Sequence, residues 1–496
     1  MSEKFVNALQ EEDNYTFTEN YAVALKSTRS SLVDLFGQIG AFRTRSEEDI
    51  EAAFSKAFSE DKMLATKMAF YARNIRGGLG ERRVFRIIMK FLANVHPEIA
   101  LKNIGLIPHF GRFDDLYVFV GTEVEPAMWE LIREQWETDN KMRVLGGSVS
   151  LLAKWLKSPN TSSKESVRFG RLTAKNLGLS EKEYRKGLSA LRKHIDVVEK
   201  KMSGQQWDKI NYSGVPSRAM SIYRKAFEKH DEEGFAEYID KVSKGEEKIH
   251  AATLYPYDIL EKMGFSWDNY NYDSFVLNNY DKVLEEQWKA LPNYIEGENN
   301  VLIMADTSGS MTGRPIHTSV GLAIYFAERN RGAFKDKFMT FSSEPSFVEL
   351  KGETLYEKIK CVPAIVSNTD LEAAFKLILK TAIKHNLVAE DMPKALVVIS
   401  DMQFDNATYG CDHEETWHNT MTEMFANEGY EIPNIIYWDV DNRKDTFQVT
   451  SEYKGVQLAS GQSPSVFKSI LNNIGKTPYE TMVDTLNDPM YNCITV

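Results

Sequence analysis

The sequence predicts a two-domain chain: an all-α amino-terminal half built of helical pairs, then an α/β half with a doubly wound, mostly parallel sheet. Three observations carry this prediction. From about Ala22 to Lys201 the apolar residues recur at helical spacing with little β-branched alternation. The stretch LPNYIEGENN at 291–300 concentrates proline, glycine and asparagine. Beyond it, short apolar runs of strand length alternate with amphipathic helices. The division falls between residues 1–298 and 299–496, and 496 residues exceed what one hydrophobic core usually organises.

Bulk composition agrees with a folded chain. Hydrophobic residues make up 43% and charged residues 26%, an ordinary globular mixture. The formal charge of -11 argues against general affinity for polyanions, so any basic surface must be local. The three cysteines, Cys361, Cys411 and Cys493, have no C-x-x-C spacing and read as reduced thiols. Neither a signal-peptide core nor a bilayer-length apolar run occurs, which predicts a cytoplasmic location without membrane contact.

In the helical half, DIEAAFSKAFSEDKMLATKMAFYARNI and RRVFRIIMKFLANV are amphipathic. Gly77, Gly78 and Gly80, then Pro97, then the corner from Pro108 to Gly111 supply stops between helices. Short turns between helices suggest an α-solenoid, although no fixed period recurs. The segment SGQQWDKINYSGVPS at 203–217 reads as a loop, and a helix pair is expected from about Asp273 to Ala290.

In the second half, VLIMADTS is a buried strand ending in small polar residues and followed by the helix HTSVGLAIYFAERN. FMTFSS, KALVVIS and PNIIYWDV are further strands, separated by the helices LEAAFKLILKTAIKH and ETWHNTMTEMFANEG. In such a sheet, binding groups collect at the carboxyl ends of strands, where diverging loops leave a crevice. Asp306 stands at that edge, with Ser308 and Ser310 in the loop after it. The loop VSNTD offers Thr369 and Asp370, and KALVVIS ends directly in Asp401. Three loops therefore present hard oxygen ligands of the kind Mg²⁺ prefers.

DTSGS at 306–310 with Thr369 and Asp401 in this order resembles the metal-ion-dependent adhesion site of von Willebrand factor A domains. The resemblance implies that Asp306, Ser308, Ser310, Thr369 and Asp401 hold Mg²⁺, Mn²⁺ or Ca²⁺, directly or through water. It further implies an open coordination position for an acidic group of a protein partner. Read without the resemblance, a lone D-x-S-x-S is equally a turn or a helix cap.

The helical half contains a second unusual feature. YARNIRGGLGERRVFR sets Arg73, Arg76, Arg82, Arg83 and Arg86 around a Gly-Gly-x-Gly turn, and IPHFGRFDDLYVF adds His109 and Arg112. Between Lys154 and Lys201 stand thirteen Lys or Arg against five Asp or Glu. These elements, ahead of an A-type domain, resemble the TROVE module of the Ro autoantigen family and, more narrowly, an uncharacterised Ro-like family. The resemblance implies a HEAT-like ring of helices closed by the A domain in a monomer. It also implies binding of single-stranded RNA ends or small structured RNA, hence a ribonucleoprotein component.

The candidate RNA contacts carried over by motif are Arg73, Arg76, Arg82, Arg83, His109 and Arg112. Charge alone adds Lys154, Lys157, Arg168, Arg171 and Lys175. Other readings stay open: the arginines pair with Glu81, Asp114 and Asp115, His109 packs or caps, and the basic run is a solvated helix face. A protein-interaction adaptor that uses the cation without RNA is the alternative function. No P-loop, nucleophile elbow or H-E-x-x-H occurs, and CDHEETWH reads as a helix start, so binding rather than catalysis is expected.

Overall fold

The computed structural model describes residues 13–268, 274–296, 299–340, 344–364, 370–405 and 417–496. They divide into two compact units, and this division does not follow the chain boundary near residue 299. One unit contains the chain to Met68, then 76–79 and 251–489; the other contains 69–75, 80–250 and 490–496.

The first unit is built on a sheet. The strands, in chain order, are β1 (Tyr15–Phe17), β2 (Val23–Leu25), β3 (Ser266–Trp267), β4 (Phe275–Val276), β5 (Val301–Ala305), β6 (Lys337–Thr340), β7 (Ser346–Glu349), β8 (Ala395–Ser400), β9 (Asn434–Asp439) and β10 (Val456–Ser460). β1 with β2 and β3 with β4 form small antiparallel pairs. The other six make one sheet in the order β10-β9-β8-β5-β6-β7, parallel except for the edge strand β7. The order reverses between β5 and β8, which is the switch point of a doubly wound sheet.

Strands β5, β8 and β10 are buried along their whole length. That explains their unbroken apolar runs: a parallel sheet covered on both faces shows no polar alternation. The helix Arg314–Arg329 after β5 is buried from residue 316 to 327. It is enclosed all round, packed on the sheet and against the helix Pro256–Lys262. At the far edge the helix Ser31–Gln38 lies on β10. Gly40 just beyond it allows backbone to meet backbone, since a Cβ there would stand 2.7 Å from Cα and N of Gly461.

The second unit is helical. Arg82–Val95 buries Val84, Phe85, Ile88 and Leu92 on one side, and Ser163 and Ser180 cap Lys164–Asn176 and Glu181–His194. The loop expected at 203–217 carries two short 3-10 turns. The carboxy-terminal residues 490–496 also belong to this unit. Tyr491 stacks on Phe110 at 5.7 Å, and the Asn103 side chain bonds Thr495 through both its amide oxygen and its nitrogen.

A helix pair is expected at 273–290; among the described residues of that stretch, 274–290, the chain forms strand β4 and one helix, Lys282–Lys289, capped by Asp281. The Asn278-Asn279-Tyr280 sequence before that cap interrupts the helical pattern. Among the described residues no helix is long and apolar enough to cross a membrane. Cys361 and Cys493 are free.

The close approach at Gly40 leads to a testable outcome. Gly40→Val drives two methyl groups into the Ser460–Gly461 backbone, so thermal unfolding should move to lower temperature by an amount equivalent to about 1–3 kcal/mol. Differential scanning calorimetry measures it, and an unchanged midpoint would refute the packing described.

Candidate functional site

Sheet register builds the site at the carboxyl edge. Ala305 pairs with Ile399, and Ser400 pairs with Asp439, so the ends of β5, β8 and β9 finish level. Asp306 follows β5 directly and is fully buried. Its backbone N–H bonds Ile399 O at 3.0 Å, which extends the ladder by one residue and fixes the carboxylate. Oδ1 accepts from the Ser308 N–H at 2.9 Å, and Oδ2 accepts from the Ser400 hydroxyl at 2.6 Å. Ser308 and Ser310 bring their hydroxyl oxygens to 3.0 Å from one another.

Asp401 follows β8 and is 1% exposed. Oδ1 accepts from Gln403 N–H at 3.3 Å, whereas the buried Oδ2 has no hydrogen-bond partner among the described residues. Thr369 lies outside the described residues. Asp370 acts as a helix cap, accepting from Ala373 N–H at 2.8 Å. Four of the five predicted ligands therefore lie on two adjoining strand ends, the two that flank the switch point.

The electrostatics follow from burial. Burial, then the charge of Asp401, pushes the Asp306 carboxyl up to about 7. Burial raises Asp401 too, while Ser310, the Gln403 N–H and Arg443 draw it back. Asp439, at the end of β9, is likewise pushed up to about 7 by burial, with Asp401 adding and Asn442 opposing. Arg443 donates to Ser310 O at 2.8 Å and pairs with Asp441 at 3.0 Å. Burial works against its charge, yet Asp441 and Asp401 raise its affinity for the proton.

Arg443 is the cation that acts on Asp401 among the described residues, and it is shared with Asp441, so the edge is short of positive charge. The donor set suits a hard divalent cation: two hydroxyls and two carboxylates, one of which, Asp401, has a buried oxygen without a hydrogen-bond partner among the described residues. Among the described residues no three His, Cys, Asp or Glu side chains gather as a metal cluster, so the hydroxyls would have to complete the shell. Sequence reasoning missed Ser400, Asp439 and Arg443. The first two were readable as the terminal residues of buried strands.

In the helical unit, Asp115 is fully buried and Asp114 nearly so. Asp115 accepts from Arg73 Nε and Nη2 at 2.8 and 2.7 Å, from Arg86 Nε at 2.7 Å and from Arg112 N–H at 3.0 Å. Asp114 takes both arms of Arg112 at 2.9 Å, with Arg86 at 3.2 Å and Lys157 at 3.3 Å. Burial opposes the charge of Asp114, yet Arg112, Arg86 and Lys157 together hold its carboxyl below the ordinary value. Gly111 makes room for this, since a Cβ there would stand 2.5 Å from Asp115 Oδ2.

Of the predicted RNA contacts, Arg73 is buried in this network, and Arg112 and Lys157 are partly used by it. Arg112 also lies 4.0 Å over the Trp155 ring, with Lys154 at 5.4 Å. Arg82 is exposed, and burial of its charge, then Arg112 and Arg86, lower its affinity for the proton. Arg83, His109, Arg168, Arg171 and Lys175 are exposed, with the His109 ring edge-on to Phe110 and Arg171 paired to Glu181 at 3.2 Å. Arg76 is exposed but belongs to the first unit. Arg86 and Trp155 were not among the predicted residues.

Against models of protein families, residues 18–121 and 148–300 match a domain of unknown function, DUF2828, and residues 300–489 match another, DUF7788. The first match covers just over half of the chain. The chain is also 27% identical, over 529 aligned positions, to the uncharacterised protein L728 of Acanthamoeba polyphaga mimivirus. That alignment spans 97% of this chain and 89% of the viral protein.

The buried acid at the centre of the helical unit gives the second testable outcome. Asp115→Ala leaves Arg73 buried without its counter-charge and should cost about 3–5 kcal/mol, seen as a lowered denaturation midpoint. Retention of wild-type stability would show that the network is not structural.

Proposed function

The chain belongs to the DUF2828 family, and from that premise and the geometry of its sheet edge we propose a non-catalytic, RNA-associated binding protein. In this reading its α/β unit holds a divalent cation as a docking point. The observation that carries the cation is the buried Asp401 Oδ2 without a hydrogen-bond partner, beside Asp306 and the Ser308 and Ser310 hydroxyls. Support also comes from the strand order, which read from β5 is 3-2-1-4-5-6 with an antiparallel edge, the doubly wound arrangement that the von Willebrand A resemblance implies. Thr369 joins the ligand set on that resemblance alone. Mg²⁺, Mn²⁺ or Ca²⁺ would supply the missing positive charge and leave a position for an acidic group of a partner.

The pH dependence of stability tests this. The Asp306 carboxyl takes its proton near 7 when folded and near 3.8 when unfolded, so its stabilising share is full below about pH 4 and lost as pH rises through 7. With chelator present, wild-type protein should therefore lose melting temperature relative to Asp306→Asn as pH rises from 4 to 7. Saturating Mg²⁺ or Mn²⁺ should restore the wild type and leave Asp306→Asn unmoved. Melting curves that no divalent cation shifts would sink the cation reading.

The RNA part rests on the helical unit, in which Arg82, Arg168 and Lys175 are exposed and Arg171, also exposed, pairs only with the surface acid Glu181 at 3.2 Å. Arg168, Arg171 and Lys175 share one face of the helix Lys164–Asn176. Gel-shift titration with single-stranded RNA at two salt concentrations should show salt-sensitive binding. Replacing those three residues by glutamate should weaken it, each lost phosphate contact lowering the salt slope by about 0.7. Absence of binding at low salt would leave the protein-interaction adaptor as the function.

A further inference from the structure

We propose that the helical unit contains a nucleotide pocket, a cavity that takes one nucleobase with its phosphate and reads it through Lys154 and Asn211. The cavity has a volume of about 380 Å³, inside the range of roughly 300–1,000 Å³ typical of small-ligand sites. Ile195, Val197, Ile210 and Val215 supply apolar walls. Two 3-10 turns hold the latter pair in place, through Ile210 N–H to Trp207 O and Val215 N–H to Tyr212 O, both at 3.1 Å. The wall is therefore formed before any ligand arrives.

The polar side chains around the cavity fall into two groups. Lys201 is committed to Asp196 at 2.8 Å, and Glu199 accepts from the Tyr223 hydroxyl at 3.2 Å. Lys154 and Asn211 are uncommitted: neither side chain makes a hydrogen bond or ion pair with another described residue. The Lys154 ammonium stands 5.4 Å from the Trp155 ring, over which the Arg112 guanidinium lies at 4.0 Å, so positive charge gathers on that side.

A ligand must then offer three things: flat apolar faces for the aliphatic walls, an anionic group for the ammonium, and an edge pairing a donor with an acceptor for the carboxamide. A nucleotide has all three, and an adenine edge matches an asparagine amide with two hydrogen bonds. A fatty acid lacks the hydrogen-bonding edge, and a sugar phosphate lacks the apolar faces. The source is a free nucleotide or an unpaired adenine of an RNA chain. Only the second of these rests on the RNA reading above.

Isothermal titration of the full chain with adenosine 5′-monophosphate tests the proposal, with inorganic phosphate as the comparison. Saturable binding is expected, with phosphate alone much weaker. Lys154→Ala should lower affinity about tenfold or more, as for loss of a charge-assisted hydrogen bond. Asn211→Ala should weaken it several-fold, and Ala219→Trp should fill the cavity and abolish it. Neither of the first two side chains makes a hydrogen bond or ion pair with another described residue, and Lys154 only lies 5.4 Å from the Trp155 ring, so these variants keep the test decisive if the tryptophan variant does not fold.

Displacement of the nucleotide by single-stranded oligoadenylate would place the source in RNA, and its failure to compete would place it in free nucleotide. Both outcomes sustain the pocket. Absence of nucleotide binding, or binding indifferent to Lys154 and Asn211, overturns it. RNA binding that survives in such a protein would leave the RNA reading standing while this one falls.

Discussion

The α/β unit depends on burying a parallel sheet whose strands end in acids. β5 and β8 are apolar along their length because helices cover both faces, and that cover excludes water from Asp306 and Asp401 at their ends. Neither carboxylate can reach solvent, and the sheet register prevents them from separating. Ser400 and the Ser308 N–H satisfy one of them; the other keeps an oxygen without a partner. A fold that needed only stability would place apolar residues here, since buried unpaired charge is costly. The burial of these acids is the feature on which the proposed cation site rests.

The helical unit buries a similar pair of acids and handles them in the opposite way. Asp114 and Asp115 are surrounded by Arg73, Arg86, Arg112 and Lys157, and Arg73 is consumed almost entirely in the process. There the cations outnumber the acids, so positive charge remains at the surface after neutralisation. One unit thus keeps a surplus of negative charge in a dry crevice and the other a surplus of positive charge at its surface. Net charge summed over the chain, at -11, hides both.

Much of the α/β half was legible because its signals are local. A buried strand announces itself as an unbroken apolar run, and the next residue, Asp306 or Asp401, necessarily stands at the sheet edge. Ser400 and Asp439 obeyed the same rule and were overlooked because neither belongs to a familiar motif. The helical half was legible as helices but not as packing: Ser31–Gln38 reads like any amphipathic helix, and nothing local reveals that it covers β10. Tyr491 in the helical unit was equally invisible, since a short apolar tail carries no record of a partner, Phe110, some 380 residues earlier in the chain. Among the arginines, sequence spacing brought the group together, but only burial separated Arg73, which is structural, from Arg82 and Arg168, which remain available.

The way the chain is divided constrains how function can be assigned. A cut at residue 299 matches the change of pattern along the sequence, yet it would strip β10 of the helix Ser31–Gln38 and Arg314–Arg329 of the helix Pro256–Lys262. The exposed sheet and helix would then aggregate or rearrange, and lost binding would report lost structure. Side chains that nothing else in the fold employs are better probes, because their removal leaves the packing intact. Lys154 and Asn211 meet that condition, since neither side chain makes a hydrogen bond or ion pair with another described residue. Substitution of Lys154 or Asn211 therefore tests the proposed ligand with little disturbance to the surrounding packing.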